Sequence, residues 1–368
     1  MKRRRILVVL ELLVTAVTSM LGITQAISAS GALLNVSIAK DNCETHCGNV
    51  KIPFPFGIGS DCSLDKWFEI FCDKSTTPYR PVLNQTQWEV IDIADFYTDS
   101  YGQSNQRLQV KSQISFFNCA DKETRRVLID LTGTPFSLTS DNIFVAASCG
   151  VIAKINSSSG NIYSQFGCKS ICSSNDNGTT SNQIHCDGID CCETSLSGIL
   201  DTFEISFDQN TTDTAAEQNQ NGREKECKFA FMVDRQYWSN YKNHSRSIME
   251  IRNIDYVPLN LSWYLNYTFF DLFKTNMSLG KVPFHVCRDK YSYYPSTYEQ
   301  YWQPLECYCS GLRGNPYLSG GCKQDINECA ESPDMCAGGA TCVNTYGGSH
   351  CSYKHKFILI GIFLSFSP

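Results

Sequence analysis

Cysteine is the residue type with the most evident chemistry in this sequence. The chain has 20 cysteines among 368 residues, all of them after residue 42, and complete pairing requires an even number. Thiols at this density form disulfides in an oxidising compartment and ligate metal ions in a reducing one. Spacings at which four thiolates could hold zinc occur among Cys168, Cys172, Cys186, Cys191 and Cys192. The choice between disulfides and zinc therefore depends on the compartment.

The N-terminus indicates an oxidising compartment. Residues 2–5 are Lys-Arg-Arg-Arg, an apolar run over residues 6–17 is interrupted only by Glu11, and small residues dominate positions 26–32. This order is typical of a secretory signal peptide, and the run is shorter than the ~20 apolar residues that a spanning helix needs. We therefore predict a signal peptide over residues 1–30 and disulfides rather than zinc. An uncleaved membrane anchor is the alternative.

Asparagine supplies a second kind of chemistry, because Asn-x-Ser/Thr is the acceptor sequence for N-linked glycans. One such sequon, at Asn35, lies close to the predicted cleavage site. The other sequons, which we predict to be glycosylated, are at Asn84, Asn156, Asn177, Asn210, Asn243, Asn260, Asn266 and Asn276. Since glycans must face solvent, we expect these asparagines on the surface of a secreted glycoprotein.

No catalytic set is visible in the sequence. It has no Gly-x-Ser-x-Gly elbow, no His-Glu-x-x-His helix and none of the kinase signatures. Plentiful Asp and Glu leave a glycosidase pair open, but nothing in the sequence organises them. We predict that the chain is not an enzyme, with a secreted hydrolase as the alternative. The net charge of −6 argues against nucleic acid as a partner.

Short strands are the elements that must position these residues. Four segments are rich in β-branched and aromatic residues, and several of them alternate apolar with polar side chains. These predicted strands lie at residues 88–93, 126–131, 142–147 and 202–207. No long stretch with helical period follows the signal peptide, and residues 173–183 and 211–226 have the composition of loops. The prediction is a mainly β fold.

The cysteines divide the chain into three blocks with even counts. Twelve lie in residues 43–227, four in residues 287–322 and four in residues 329–351. Even counts are expected of modules that pair internally, and the two small blocks need disulfides because their cores are small. The predicted domains are residues 31–275, 284–322 and 325–353, followed by a short apolar tail at 354–368. The fold class is therefore a disulfide-rich β domain followed by small modules.

A string rich in proline and phenylalanine stands near the start of the first block. Residues 47–59 read Cys-Gly-Asn-Val-Lys-Ile-Pro-Phe-Pro-Phe-Gly-Ile-Gly. Because proline cannot donate to a central ladder, we predict an edge or surface strand here. This string, together with Cys62 and the run at residues 68–72, resembles the galacturonan-binding domain of plant wall-associated receptor kinases. Further landmarks extend the resemblance to about residue 351.

The last block resembles a calcium-binding EGF-like module, with Asp-Ile-Asn-Glu-Cys at residues 325–329. The resemblance implies the disulfides Cys329–Cys342 and Cys336–Cys351. It also implies calcium ligands that present hard oxygens, namely Asp325, Ile326, Glu328, Asn344 and Thr345. The family's last cysteine pair is missing, so the module is truncated, and a solvated linker is the alternative. Residues 284–322, which contain Gly-Asn-Pro-Tyr-Leu, resemble a degenerate EGF-like module.

The resemblance implies pectin, a polymer of galacturonate, as the ligand. Its carboxylates need cations or calcium bridges, and its sugar rings need aromatic faces. The candidate polysaccharide-binding residues are the basic ones at Lys111, Lys122, Arg125 and Arg126. A solvated hairpin turn is the alternative for these cations. The tyrosines within residues 291–301 and Trp302 are candidates for stacking on sugar or for filling the core of a small module.

The same resemblance places the chain outside the cell, at the cell wall or plasma membrane. The apolar tail is too short for a spanning helix, so we interpret the chain as a receptor ectodomain, or a soluble form of one, that stops before the transmembrane helix and kinase. A GPI signal with small residues at 347–349 is an alternative. The competing function is a protein-binding EGF-type ectodomain that contacts another receptor and has no polysaccharide affinity.

Overall fold

The computed structural model describes residues 37–94, 106–119, 121–148, 150–159, 162–171, 184–196, 200–208, 227–245, 247–266, 285–289, 302–303 and 305–353. Several predictions fall outside these residues. They are the signal peptide over residues 1–30, the loops at 173–183 and 211–226, the tyrosines at 291–301, and the apolar tail at 354–368.

Strands are the main regular secondary structure of the described residues before position 270. In chain order they are β1 (His46–Cys47), β2 (Val50–Lys51), β3 (Gly57–Ile58), β4 (Glu69–Asp73), β5 (Arg80–Leu83), β6 (Val90–Ile93), β7 (Arg107–Ser112), β8 (Ser115–Phe117), β9 (Leu128–Asp130), β10 (Phe136–Leu138), β11 (Asn142–Ala147), β12 (Ile152–Ser159), β13 (Ile162–Lys169), β14 (Cys191–Ser195), β15 (Thr202–Phe207), β16 (Lys228–Asp234), β17 (Val257–Trp263) and β18 (Leu265–Asn266). The helical elements of this part are α1 (Arg235–His244) and a 3₁₀ helix (Ile248–Asn253).

Shorter elements follow in the C-terminal part. They are β19 (His285–Asp289), β20 (Trp302–Gln303), β21 (Leu305–Cys309), β22 (Leu312–Gly314), β23 (Cys322–Asp325), α2 (Glu328–Glu331), β24 (Thr341–Thr345) and β25 (Gly348–Ser352). The described strands in this part pair as two-stranded antiparallel units.

The first domain is built from three four-stranded antiparallel sheets and one three-stranded sheet. Their strand orders are β10-β17-β7-β6, β14-β11-β16-β8, β13-β12-β15-β9 and β3-β4-β5. Among the described strand pairs only β3 and β4 run parallel.

The prediction of a mainly β, disulfide-rich fold is confirmed. The four predicted strands overlap β6, β9, β11 and β15, and β15 buries Phe203 and Ile205 by strict alternation.

The proline- and phenylalanine-rich string forms the predicted edge strand only near its end, where Gly57–Ile58 is β3 at the edge of the β3-β4-β5 sheet, and its middle is not at the surface. Residues 52–57 are all buried, with Phe54 4% and Phe56 0% exposed. Phe56 meets Trp263 edge to face, with ring centroids 5.8 Å apart. Proline excludes the string from a central ladder, but the apolar area of its phenylalanines is better buried than left at an edge. Residues 52–56 are therefore a core segment outside the strand ladders.

The structure contains one ten-residue helix, α1, that the sequence analysis missed. The helix begins at Asp234, whose side chain accepts a hydrogen bond from the main-chain N–H of Tyr237 at 2.5 Å. Only Trp238 is buried along its length, so the sequence has no wide apolar stripe at helical period. A single anchor and a cap are enough to fix a helix that follows directly from β16.

Eight disulfides join described cysteines, and none of the described cysteines is free. They are Cys43–Cys62, Cys47–Cys72, Cys119–Cys227, Cys168–Cys192, Cys186–Cys191, Cys309–Cys322, Cys329–Cys342 and Cys336–Cys351. The last two are the pairs that the EGF resemblance implies. Four of the five cysteines weighed as zinc ligands are in disulfides, and Cys172 lies outside the described residues.

The predicted boundary between residues 275 and 284 does not separate two cores. Tyr317, from the degenerate EGF-like module, is 3% exposed and belongs to the main hydrophobic core of the first domain. Its ring centroid lies 5.3 Å from that of Trp263, and its hydroxyl accepts a hydrogen bond from Gln106 Nε2 at 2.6 Å. Asn315 Nδ2 donates to the carbonyl oxygen of Phe54 at 2.7 Å. The Gly-Asn-Pro-Tyr-Leu motif therefore completes the first domain.

Candidate functional site

The basic segment, defined here as residues 122–126, runs between the edges of two sheets. Its middle is held by mutual main-chain hydrogen bonds between Arg125 and Phe116 of β8, at 3.0 and 3.2 Å. Val127, directly after it, is buried and accepts a hydrogen bond from the main-chain N–H of Ile205 in β15 at 3.0 Å. The main chain is thus fixed on both sides while the side chains of Arg125 and Arg126 are exposed.

The cations of the basic segment differ in how far their charges are already neutralised. Arg126 lies 3.8 Å from a carboxylate oxygen of Glu204 and its side chain is 67% exposed, so solvent screens this pair. Lys122 Nζ lies 5.6 Å from the ring centroid of Phe116. Neither Lys122 nor Arg125 has a carboxylate oxygen within 4.0 Å in the described part of the chain. The segment therefore presents positive charge that an anion could reach.

Two acids partly offset this charge, namely Glu123, which is exposed within the segment itself, and the neighbouring Asp121. Asp121 accepts a hydrogen bond from Arg252 at 2.5 Å, and this contact lowers the pKa of Asp121 below its usual value. The pair ties the start of the basic segment to the 3₁₀ helix. The carboxylate of Asp121 is already paired with Arg252 and is therefore a poor partner for Lys122.

Lys111 is not part of an open cationic surface. It lies on β7, where its Nζ is 2.5 Å from a carboxylate oxygen of Glu89 and 4.0 Å from the ring centroid of Tyr256. Arg80 also approaches Glu89, at 3.9 Å, and pairs with Asp73 at 2.6 Å. Two acids and two bases thus neutralise each other on this face. Of the four candidate residues, Lys122, Arg125 and Arg126 therefore lie together on the basic segment. Lys111 lies apart from them on β7, where Glu89 and Tyr256 contact it.

The EGF-like module gathers hard oxygens at its start. Asp325 accepts hydrogen bonds from Asn344 Nδ2 and from the main-chain N–H of Gly347, both at 2.7 Å. Asn344 Oδ1 and Glu328 Oε2 are buried and have no hydrogen-bond partner in the structure. Buried oxygens without a partner are costly, and a hard cation would satisfy them. The donor set of Asp325, Glu328 and Asn344 therefore fits calcium.

Carbonyl oxygens complete the predicted calcium set. Ile326 and Thr345 flank these side chains in sequence, and Thr345 pairs with Gly348 across the β24–β25 hairpin. In the described residues no three His, Cys, Asp or Glu side chains gather as a metal site. That is expected of a set in which an amide and carbonyls supply part of the oxygens.

The described sequons divide into exposed and buried asparagines. Asn84, Asn156 and Asn243 are exposed, as glycosylation requires. Asn260 is 1% exposed, which contradicts its prediction as a glycosylation site. Its Nδ2 donates to Asp234, its Oδ1 accepts from Gln109 at 3.1 Å, and its main-chain N–H donates to Asn142 Oδ1 at 2.8 Å. Asn260 is therefore a structural residue.

The structure does not describe the side-chain exposure of the remaining sequon asparagines. Asn266 lies in β18, and Asn177, Asn210 and Asn276 lie outside the described residues. The stacking candidate Trp302 lies in β20.

Sequence analysis did not single out Phe71, which is 59% exposed on β4. Its neighbours Ile70 and Cys72 point to the core, with 1% and 8% exposure. Because side chains alternate along a strand, the outward position of Phe71 follows from the run Phe68-Glu69-Ile70-Phe71-Cys72. The sequence signal that could have revealed it is an aromatic residue at a strand position where the alternation predicts an exposed, polar side chain.

Comparison with known protein families agrees with this architecture. Residues 43–102 match the family model for wall-associated receptor kinase galacturonan-binding, residues 182–269 match that for wall-associated kinase, and residues 325–358 match that for calcium-binding EGF domain. These matches cover two parts of the disulfide-rich first domain, with residues 103–181 between them unmatched, and the EGF-like module. The chain is a relative of the wall-associated receptor kinases. None of the three matched families is a kinase domain.

Curated relatives from Arabidopsis thaliana support the same relationship. Wall-associated receptor kinase-like 10 is 29% identical over 91% of this chain and 46% of its own length, and wall-associated receptor kinase-like 3 is 30% identical over 86% and 43%. The chain thus spans less than half the length of these relatives. No solved structure matches the chain. No helix in the described residues is long and apolar enough to span a membrane.

Proposed function

We propose that this chain binds pectic polysaccharide outside the cell, as the ectodomain or soluble form of a wall-associated receptor, through the basic segment. The observation that carries the proposal is the exposure of Arg125 and Arg126 on a fixed main chain, beside a Lys122 with no carboxylate partner within 4.0 Å among the described residues. Guanidinium groups bind carboxylates in bidentate geometry, so a galacturonate chain is a suitable ligand. The match of residues 43–102 to a galacturonan-binding family supports the ligand class.

The basic segment lies outside the matched residues 43–102, so the experiment must distinguish two surfaces. Within the described part of that stretch, Lys74 pairs with Glu44 at 3.1 Å and Arg80 pairs with Asp73 at 2.6 Å. A carboxylate ligand would have to displace these acids, whereas Arg125 has none to displace. Lys66, which is exposed and lies 5.4 Å from the ring centroid of Trp67, has no carboxylate oxygen within 4.0 Å among the described residues either, so experiment must separate the two surfaces.

The test is binding of the oxidised, glycosylated chain to oligogalacturonides at several salt concentrations. We expect saturable binding that weakens as salt rises, because salt screens exposed ion pairs. Joint reversal of Lys122→Glu, Arg125→Glu and Arg126→Glu should weaken binding at least tenfold, while the control Lys169→Glu, an exposed lysine on β13, should leave it unchanged. Binding that survives the triple reversal would move the site to the matched stretch.

The competing function is binding of a protein partner through the EGF-like module. It is favoured by the exposed apolar side chains of that module, with Met335 45%, Val343 37% and Tyr353 60% exposed. Absence of oligogalacturonide binding by the oxidised chain, with and without calcium, would support this second function and overturn the first.

We also propose that the EGF-like module binds calcium through Asp325, Glu328 and Asn344, with carbonyl oxygens of Ile326 and Thr345. The two buried oxygens without a partner support this proposal. Calorimetric titration of the full chain with calcium should show one site, and Glu328→Gln should weaken it because a neutral amide oxygen replaces a carboxylate oxygen. The control is Glu331→Gln, which removes an acid of the same helix that instead pairs with Arg313. Equal affinity for the two variants would contradict the assignment.

A further inference from the structure

Phe71 is an aromatic ring that the fold leaves uncovered. It is the only phenylalanine among the exposed large hydrophobic residues of the described chain, with 59% of its surface exposed. Its strand partner in β5 is Val82, which is half-buried. The backbone on both sides is fixed, because Ile70 pairs with Leu83 and both side chains are buried in the core. The ring therefore stands on a rigid sheet face and not on a loose loop.

The strand register places Asn84 on the same face, next to this ring. Phe71 lies opposite Val82, and the main-chain N–H of Asn84 donates to the carbonyl of Glu69 at 2.9 Å. Asn84 is the first residue after β5, and its side chain donates to the carboxylate of Glu69, which lies two residues from Phe71 on β4 and therefore on the same face. Diagonal neighbours on adjacent strands have Cα atoms about 7–8 Å apart, within reach of a large side chain.

Asn84 is also a glycan acceptor whose amide is already oriented. It is exposed and begins the sequon Asn84-Gln85-Thr86. Its Nδ2 donates one hydrogen to Glu69 Oε2 at 3.0 Å. Transfer of an oligosaccharide from its pyrophosphate donor forms a bond from Nδ2 to C1 of the sugar, breaks the bond from C1 to the pyrophosphate oxygen, and releases one amide proton. The second hydrogen stays on Nδ2, so the contact with Glu69 survives glycosylation.

The charges around Phe71 favour an uncharged sugar over a uronate. On the outer face of β4 and β5, Asp73 and Arg80 pair with each other, and the acid Glu69 flanks Phe71. The hydrogen bond from the Ser75 hydroxyl, followed by that from Arg80, lowers the pKa of Asp73 to about 2, so this acid is ionised at any physiological pH. N-acetylglucosamine is neutral, so its apolar C–H face can cover an aromatic ring without repulsion from the carboxylate of Glu69.

We propose that the N-linked glycan on Asn84 packs its first sugar ring against Phe71, so that the chain's own glycan covers this face of the sheet. The inference relies on passage through the secretory pathway, which is part of the proposed function, but it is independent of pectin binding. Phe71 then belongs to the folded glycoprotein's own surface and is not a subsite for an external ligand.

The experiment is a double-mutant cycle on the full chain secreted from a eukaryotic host, with occupancy of Asn84 checked by mass spectrometry. Two changes remove the glycan independently, Asn84→Gln and Thr86→Val; the second keeps Asn84 and deletes a buried hydroxyl that has no hydrogen-bond partner. Phe71→Thr removes the ring and keeps a good strand former. Asn243→Gln is the control, because it removes an exposed sequon on α1.

We expect loss of the Asn84 glycan to lower the Tm by about 2–4 °C when Phe71 is present, the response of a domain of this size to loss of roughly one stacking contact. In the Phe71→Thr background the same loss should lower the Tm by less than half as much. Asn243→Gln should give equal shifts in both backgrounds. In the glycoprotein with a ¹³C-labelled glycan, ring current should shift N-acetylglucosamine signals, and Phe71→Thr should abolish that shift.

Three results would overturn the proposal. They are an unoccupied Asn84, equal glycan effects in the two Phe71 backgrounds, and sugar signals that do not respond to Phe71→Thr. None of these readouts involves oligogalacturonide, so failure here leaves the pectin proposal intact. Conversely, loss of oligogalacturonide binding on Phe71→Thr would assign the ring to an external ligand and contradict this inference.

Discussion

At the scale of single residues, Asp73 shows how local contacts set the charge of the sheet face beside Phe71. Its carboxylate accepts hydrogen bonds from the hydroxyl and main-chain N–H of Ser75, at 2.6 and 2.9 Å, and from Arg80 at 2.6 Å. The Ser75 hydroxyl is the largest cause of the pKa near 2, and Arg80 is the next. Solvent weakens an exposed ion pair, so a hydrogen bond can rank above it.

The corresponding prediction concerns the pKa of Asp73 in two variants. Ser75→Ala and Arg80→Ala should each raise it towards the ordinary value near 3.9, because each change removes a hydrogen bond to the carboxylate, as measured by NMR titration of the carboxyl carbon. Because the folded-state pKa is depressed, the stability that this acid contributes is fully present above about pH 3.9 and is lost as pH falls towards about 2. A larger shift in Arg80→Ala would show that the ion pair dominates.

At the scale of elements, the sequence predicts strands that rely on local alternation, and it fails where distant residues decide. The pattern Thr202-Phe203-Glu204-Ile205-Ser206-Phe207 predicts β15 because period 2 is a local property. The burial of Phe54 depends on Asn315, which satisfies its carbonyl from 261 residues away. No local pattern contains that partner. Likewise α1 rests on the single anchor Trp238, so helical periodicity is too weak to reveal it.

The candidate sites follow the same rule. The proposed calcium residues and the basic segment are contiguous or match a motif, so the sequence alone is enough to propose them. The pairing of Lys111 with Glu89, which removes Lys111 from an open cationic surface, depends on the packing of β6 beside β7. The burial of Asn260 depends on Asn142, 118 residues earlier in the chain. A sequon motif alone cannot distinguish an exposed asparagine from one that joins two sheets.

A prediction at this scale concerns the polar link between β11 and β17. Asn142 accepts from the main-chain N–H of Asn260 and donates to its carbonyl, both at 2.8 Å. Asn142→Ala leaves these buried groups unpaired and should reduce the free energy of unfolding by about 1–3 kcal/mol. The matched control is Gln165→Ala, since Gln165 is exposed and water can replace its bond to Asn156. Thermal unfolding that is equally affected by both changes would contradict a structural role for Asn142.

At the scale of the whole molecule, the C-terminal modules pack against the first domain and are not separate modules joined to it by a linker. Tyr317 fills the core against Trp263, and its hydroxyl also accepts the main-chain N–H of Cys307 at 3.3 Å. The EGF-like module packs closely against Gly311. A Cβ added at Gly311 would lie only 2.1 Å from the carbonyl oxygen of Gly347 in that module. The proposed polysaccharide ligand of the first domain and the proposed calcium ion of the last module would therefore act on one connected body.

This connection predicts that a core substitution at Tyr317 releases the modules. Tyr317→Ala should cost about 3–5 kcal/mol of local stability, because a large buried ring leaves a cavity. Hydrogen exchange measured by mass spectrometry should then rise in residues 305–325 and also around Phe54, whose carbonyl depends on the neighbouring Asn315. Tyr317→Phe keeps the ring and should show a smaller rise, and Tyr346→Ala, at a tyrosine that is 61% exposed, should leave the segment around Phe54 protected. If Tyr317→Ala raised exchange only within residues 305–325, the first domain would be complete without the motif, and the modules would be separate bodies after all.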